Sequence, residues 1–233
     1  MDVQGCLVPE DLLYDLEHDV WARPEADGST ATIGMLSPLA SFIGVVQKVE
    51  YRPVDGAIAR GRSVATVESF RFTGAVRLPV DGAVVERNDQ IVRRPKWIND
   101  EPYGRGWIAR VRAEAASSWT GNMEPASEVR ERIAESIRER HIHCLPAVPD
   151  VELFEIGAEC SAVLAALDDT LRLRSPRDVV LLVTDDPTSP IEVVRWSDRT
   201  GETLLHHEAD GPLHRFLIRK EADPQPRRRP RPA

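Results

Sequence analysis

Glu68-Ser69-Phe70-Arg71-Phe72-Thr73 lies between two copies of one pentapeptide, Pro53-Val54-Asp55-Gly56-Ala57 and Pro79-Val80-Asp81-Gly82-Ala83. Each copy reads as a Pro/Gly turn between short β-branched runs, so the pattern predicts two similar half-sheets flanking one hairpin. Arg71 stands at the middle of that hairpin, between two phenylalanines in a chain with only 6% aromatic residues. From the residues alone Arg71 has two readings. It is a solvated turn residue, or it is a fixed cation that docks an anionic partner or ligand, with Phe70 and Phe72 adding an apolar contact.

Outward from the hairpin, further short stretches fall into order. They are Tyr14-Asp15-Leu16-Glu17-His18-Asp19, Ala31-Thr32-Ile33-Gly34, Val67-Glu68-Ser69, Pro79-Val80-Asp81-Gly82 and Asn99-Asp100-Glu101-Pro102-Tyr103-Gly104-Arg105-Gly106-Trp107. Singly each is weak. In this order and spacing the region from about Tyr14 to Trp119 resembles the H-protein family of the glycine cleavage system. The resemblance implies the fold of lipoyl- and biotinyl-carrier domains, an all-β barrel-sandwich hybrid, here with flanking helices. It also implies that the residue two after Glu-Ser is a lysine carrying lipoate as an amide, and in this chain that residue is Arg71. Acylation needs an amine that can lose its proton. A guanidinium stays protonated at every pH a protein meets, and its nitrogens are delocalised. The lysines of the chain, Lys48, Lys96 and Lys220, lie outside the hairpin. The expectation is therefore an unmodified Arg71, no lipoate and no other cofactor.

The chain has 233 residues, enough for two small domains. Its net charge is −8, and four arginines sit in the last seven residues, so the remainder carries −12 (−8 minus those four). An acidic body argues against nucleic acid as a partner, because phosphate binding needs clustered cations. No stretch approaches the roughly 20 apolar residues of a membrane helix, and the N-terminus lacks a basic-then-apolar signal pattern. Cys6, Cys144 and Cys160 have no metal-site spacing, and their odd number suits free thiols in a reducing compartment. The expected location is the cytoplasm. His141, His143 and Cys144 lack the spacing of a closed zinc site, so no metal is expected.

The first domain is expected over 1–140. Brief runs at Thr30–Ile33 and Ile43–Val49 read as strands, with a helix at Pro38–Ile43 between them, and Ala115–Glu124 is polar and irregular. Val129, Ile133 and Ile137 recur every fourth residue, predicting an amphipathic helix over Ser127–Arg140 with Ser127 as N-cap and a Glu128–Arg132 pair. Residues 141–150, with two prolines, read as a linker. The last residues, 221–233, read as a disordered Arg/Pro tail.

From Val151 strands and helices alternate. Val151–Ile156 predicts a strand, and Val163, Leu164, Leu167 and Leu171 form one stripe of a helix starting just after Cys160. Val179–Thr184 reads as a buried strand. Ser189-Pro190-Ile191-Glu192 reads as a capping box with Pro at the first helical position, and Gly201 ends that helix. Leu204–His207 and Leu213–Ile218 then pair across Asp210-Gly211-Pro212. The order β-α-β-α-β-β is a two-layer α/β sandwich over 151–220. With Leu153, Gly157, Cys160, Asp185-Asp186-Pro187, Trp196, Gly201 and the closing Gly211-to-Lys220 strand, it resembles the TusA-like (SirA-like) sulfur-carrier family. That resemblance implies that Cys160 accepts sulfur as a persulfide. Two positions depart from the family pattern, Ser161 where it has proline and Phe154 where it has an acid.

A thiol at a helix N-terminus faces unpaired N–H groups and a positive dipole end, so a modest lowering of the Cys160 pKa is expected, with Glu159 opposing it. Cys144 is a candidate to relay or resolve the persulfide, Cys6 reads as inert, and neither His206 nor His207 is given a role. The sequence thus points to a sulfur-trafficking carrier or sulfurtransferase. Its Cys160 would be tethered at about millimolar effective concentration beside whatever docks on an unlipoylated first domain. Sulfur donor and acceptor proteins are the expected partners, with H-protein-docking enzymes on the first domain, and neither nucleic acid nor membrane. Two alternatives stand beside it: a lipoyl carrier of glycine cleavage or lipoate-linked sulfur oxidation, and a non-catalytic adaptor.

Overall fold

Trp21 shows how the first sheet is built. Its neighbours Val20 and Ala22 point into one core while its own indole points into another, as strand alternation requires. Across the ladder it pairs with Gly34, where a Cβ would come within 2.6 Å of the indole ring. Only glycine leaves room for the ring there.

The structure, a computed structural model, describes residues 1–53 and 56–221. Val54 and Asp55 of the first pentapeptide copy and the expected tail beyond Glu221 lie outside the described residues. Two compact units divide the chain at Val148/Pro149. The first contains β1 (Asp2–Val3), β2 (Cys6–Leu7), β3 (Leu13–Asp15), β4 (Val20–Pro24), β5 (Thr30–Met35), α1 (Ser37–Phe42), β6 (Val46–Tyr51), β7 (Ser63–Ser69) and β8 (Thr73–Arg77). It continues with β9 (Gly82–Arg87), α2 (Asp89–Arg93), α3 (Trp97–Asp100), β10 (Ala109–Ala113), α4 (Ser118–Asn122), β11 (Glu124–Pro125) and α5 (Ala126–Glu139).

These strands form a six-stranded sheet, β11-β3-β4-β5-β10-β9, a three-stranded sheet, β6-β7-β8, and the pair β1-β2. The expected barrel does not close. One core fills the space between the two larger sheets, and a second lies under α5 and the β1–β2 pair. Ile58, just after the first pentapeptide, bridges to Gly82 of the second through N–H···O bonds of 2.7 and 3.0 Å. A Cβ on Gly82 would lie 2.3 Å from the Arg112 carbonyl, so the copy's glycine is fixed by close backbone approach.

Several local expectations are corrected. Residues 118–122 are helical, because Trp119 buries its ring and donates to the Ser29 carbonyl at 3.0 Å. Helix α5 begins one residue early with Pro125 as N-cap, so Ser127 caps nothing. Arg132 is bonded to Glu124 on β11 in place of the expected Glu128 pair. The linker starts later than residue 141, because Ile142 is buried in the second core and Cys144 is held in a disulfide with Cys6. Cysteines 138 positions apart meet because β1–β2 and the stretch after α5 flank the same apolar cluster. The reducing-compartment inference rested on unpaired thiols, and this pair removes that ground. Among the described residues no helix is long and apolar enough to cross a membrane.

The second unit runs β12 (Val151–Glu155), α6 (Cys160–Arg172), β13 (Val179–Thr184), α7 (Ser189–Thr200), β14 (Thr203–Asp210) and β15 (Leu213–Arg219). Its sheet order is β12-β13-β15-β14, parallel between the first two strands and antiparallel elsewhere. β13 is buried along its whole length, as a central strand must be. Val163, Leu167 and Leu171 from α6 and Val193 and Trp196 from α7 close over Val180, Leu182, Phe216 and Ile218. Gly201 ends α7 at φ +80°. The capping box does not form. Thr188 is the N-cap, no side chain caps the helix, and Ser189 sits inside the first turn with its hydroxyl buried and unpartnered among the described residues.

Candidate functional site

β7 and β8 pair from Ser63↔Arg77 to Glu68↔Thr73, leaving Phe70 and Arg71 at the tip. Ser69 organises that turn. Its N–H donates to the Phe72 carbonyl at 2.8 Å, and its Oγ accepts from the N–H groups of Arg71 (3.2 Å) and Phe72 (3.1 Å) while donating to the Ile43 carbonyl at 2.7 Å. The two phenylalanines part ways. Phe72 crowds Gly74, where a Cβ would meet its ring at 2.2 Å, and packs on the core. Phe70 is 91% exposed, so the tip presents an aromatic ring beside an exposed guanidinium.

Beneath the tip, the stretch from α1 to β6 is held by Asn99, a buried polar residue of α3. Its Oδ1 accepts from the Val46 N–H at 2.8 Å, and its Nδ2 donates to the carbonyls of Ala40 (2.7 Å) and Gly44 (2.9 Å). A Cβ on Gly44, at φ +73°, would lie 4.0 Å from Arg71 Cδ and Nε, so the arginine side chain lies over this segment. The chain of contacts Asn99–Gly44/Ile43–Ser69 fixes the hairpin to the body; Asn99 opens one of the stretches that carry the family resemblance, but no cue in the sequence pointed to these bonds.

The group at the tip does not fit an acyl-lysine. The sequence reading placed no amine near the hairpin, yet the register brings Lys48 opposite Glu68. Lys48 is 2.6 Å from Glu50 and 4.0 Å from Glu68, and hydrogen bonding to Glu50 pushes its pKa up, so it stays a protonated strand residue. Elsewhere in this unit Asp15, Glu17 and His18 bring ligand atoms within 4.8 Å of one another. Arg60 already bonds Asp15 at 3.2 Å and Glu17 at 2.8 Å, so a cation occupies that place.

The family model for the glycine cleavage H-protein matches residues 12–136, more than half of the chain. The chain belongs to the glycine cleavage H-protein family. It is 31% identical to "Glycine cleavage system H protein 2" of Aquifex aeolicus (strain VF5) over 143 residues, 61% of this chain and 88% of that one. With H protein 5 of the same organism it is 35% identical over 147 residues, 61% of this chain and 98% of the relative. A crystal structure of an H protein from Mycobacterium marinum aligns at 28% identity and a TM-score of 0.47, covering 54% of this chain and 98% of that chain. The H-protein match ends within α5, and the second unit lies beyond it.

In the second unit Cys160 is the first residue of α6, half-buried and free. The loop after β13 supplies its surroundings. Asp185 accepts from the Gly157 N–H at 2.7 Å, fixing the turn before α6. Asp186 accepts from the Thr188 N–H (2.7 Å) and hydroxyl (2.5 Å), and its carboxylate is held low by Thr188 and by the backbone N–H groups of Cys160 and Ser189. The expected lowering of the thiol pKa is thereby overturned. Burial pushes the Cys160 thiol up, the Asp186 and Glu192 carboxylates push the same way, and a hydrogen bond with Thr188 opposes them. The N-terminal N–H that was to favour a thiolate already serves Asp186. Cys144, read as a relay, is bonded to Cys6 and has no thiol to offer.

Proposed function

We propose that this chain is an H-protein-type docking protein that works without lipoate at position 71 and carries a second, thiol-bearing unit. The observation that supports this most is the tip itself. The turn built by Ser69 is complete, yet the exposed residue at its centre is a guanidinium, which cannot form the lipoyl amide. An exposed cation beside an exposed Phe70 suits a partner surface with an anionic group next to an apolar one. Intact mass after co-expression with a lipoyl ligase tests this reading. The wild-type chain is expected to stay at its unmodified mass while a lysine-bearing H-protein control gains one lipoyl group, and a modified wild-type chain overturns it. Family membership supports the other role, the glycine-cleavage carrier, and the same measurement separates the two.

The second unit supports sulfur transfer through Cys160, with donor and acceptor proteins as partners. The thiol is half-buried and unpaired at the start of α6. In the exchange, the Cys160 thiolate attacks the terminal sulfur of a donor R–S–SH. The donor S–S bond breaks, Cys160–S–SH forms, and R–S⁻ leaves with the displaced electron pair. Because burial and the flanking carboxylates raise the thiol pKa, the reactive fraction at neutral pH is small and grows as pH rises. Treatment of the native protein with a persulfide donor should add sulfur at Cys160 alone, faster at higher pH, and not at all in Cys160→Ser. Labelling of Cys6 or Cys144 in the native protein, or none at any pH, would contradict it and leave an adaptor role.

A further inference from the structure

His207 and His214 were given no task by the sequence, and the register of the last hairpin makes them a pair. β14 and β15 are antiparallel, with His207 opposite Phe216 and Ala209 opposite His214, so the two histidines sit diagonally on one face. An irregularity between Leu204 and His206 sets this phase: Leu204 pairs with Ile218 but His206 with Leu217, leaving Leu205 as the extra residue of a bulge. Without that bulge His207 would point to the opposite face.

The ring geometry is specific. His207 stacks on the buried Phe216 ring at 4.4 Å between centroids and 6° between planes, which fixes its orientation. Its Nε2 then lies 3.3 Å from Nδ1 of His214, a hydrogen bond between the rings that a metal ion would replace. Two imidazole nitrogens bound to one tetrahedral ion at about 2.0–2.1 Å each are separated by about 3.3–3.4 Å, the edge of that tetrahedron. His207 is exposed and His214 half-buried, so the pair opens to solvent and leaves the other coordination positions to water or to a ligand atom from a partner. His214 pairs with Thr184, the last residue of β13, so the pair lies at the end of the sheet from which the Asp185–Thr188 loop departs.

We propose that His207 Nε2 and His214 Nδ1 form a two-imidazole site for a divalent ion of the zinc, nickel or copper class. Imidazole suits these ions, and hard cations such as Mg2+ and Ca2+ prefer oxygen, so neither of the latter should compete. The site is independent of position 71 and of the Cys160 reading.

Zinc chloride titrated into the full-length wild-type protein, followed by histidine ring NMR, tests the site. The first equivalent should shift the His207 and His214 ring signals, with Mg2+ in large excess having no effect. His214→Ala should weaken zinc binding by at least about tenfold. His207→Phe should do the same, since it keeps a ring on Phe216 while removing the nitrogen, which separates lost ligation from lost packing. His206→Ala, on the opposite face, should leave affinity unchanged. A first equivalent that reports on His141 and His143, or affinity unaltered in both ligand variants, overturns the proposal. So does a His207–His214 pair that stays unshifted at millimolar zinc.

Discussion

Replacing Arg71 by lysine and co-expressing the variant with a lipoyl ligase is expected to yield a chain one lipoyl group heavier, where the wild type gains nothing. The expectation follows from the turn, whose backbone bonds do not depend on the side chain at position 71. The Ser69 hydroxyl would still accept from the N–H groups at positions 71 and 72, because those bonds use only the backbone there. Position 71 is exposed, so a lysine there would be within reach of a ligase. The gain is all-or-none on a mass spectrum, and an unchanged thermal midpoint would show that the fold is intact. If Arg71→Lys stays unmodified beside a modified H-protein control, the tip is unfit for a ligase for reasons beyond its missing amine. The claim that one residue separates this hairpin from a carrier then fails.

Asn99→Ala is expected to produce the largest loss of stability in the first unit, about 3–5 kcal/mol by denaturant unfolding, with a visible change at the hairpin. One side chain satisfies the Val46 N–H and the Ala40 and Gly44 carbonyls, and the position is buried. Alanine leaves all three groups without their partner, and an unsatisfied buried polar group costs about 1–3 kcal/mol. The segment released is the one whose Ile43 carbonyl accepts from Ser69, so amide exchange in residues 69–72 should rise in the same variant. A loss below about 1 kcal/mol, with exchange at the tip unchanged, would show that water replaces Asn99 at little cost.

How much of this the sequence disclosed depends on the range of each interaction. The hairpin around Arg71 was legible because its cues are local: two turn pentapeptides, a Glu-Ser pair and β-branched runs between them. The buried run Val179–Thr184 and the glycine stop at 201 were legible for the same reason. Interactions that depend on distant backbone were not. Asn99 sits on a four-residue helix with no periodicity, and its partners lie 53 to 59 positions away. Asp186 reaches the Cys160 N–H across 26 positions, which reversed the expected direction of the thiol pKa. The start of α7 was misread by one residue because Thr188 and Ser189 are both plausible caps, and the bonds to Asp186 decide between them. The histidine pair depends on a bulge at Leu205, and alternation along β14 cannot reveal an added residue.

The bond between Cys6 and Cys144 makes the H-protein-like portion a covalent ring. A protease that nicks any loop between those residues produces fragments that still migrate as one species until a reductant is added. Nicks after residue 144 instead give fragments that separate on a denaturing gel without reductant. A denaturing gel run with and without reductant therefore tells on which side of the ring the cleavage fell.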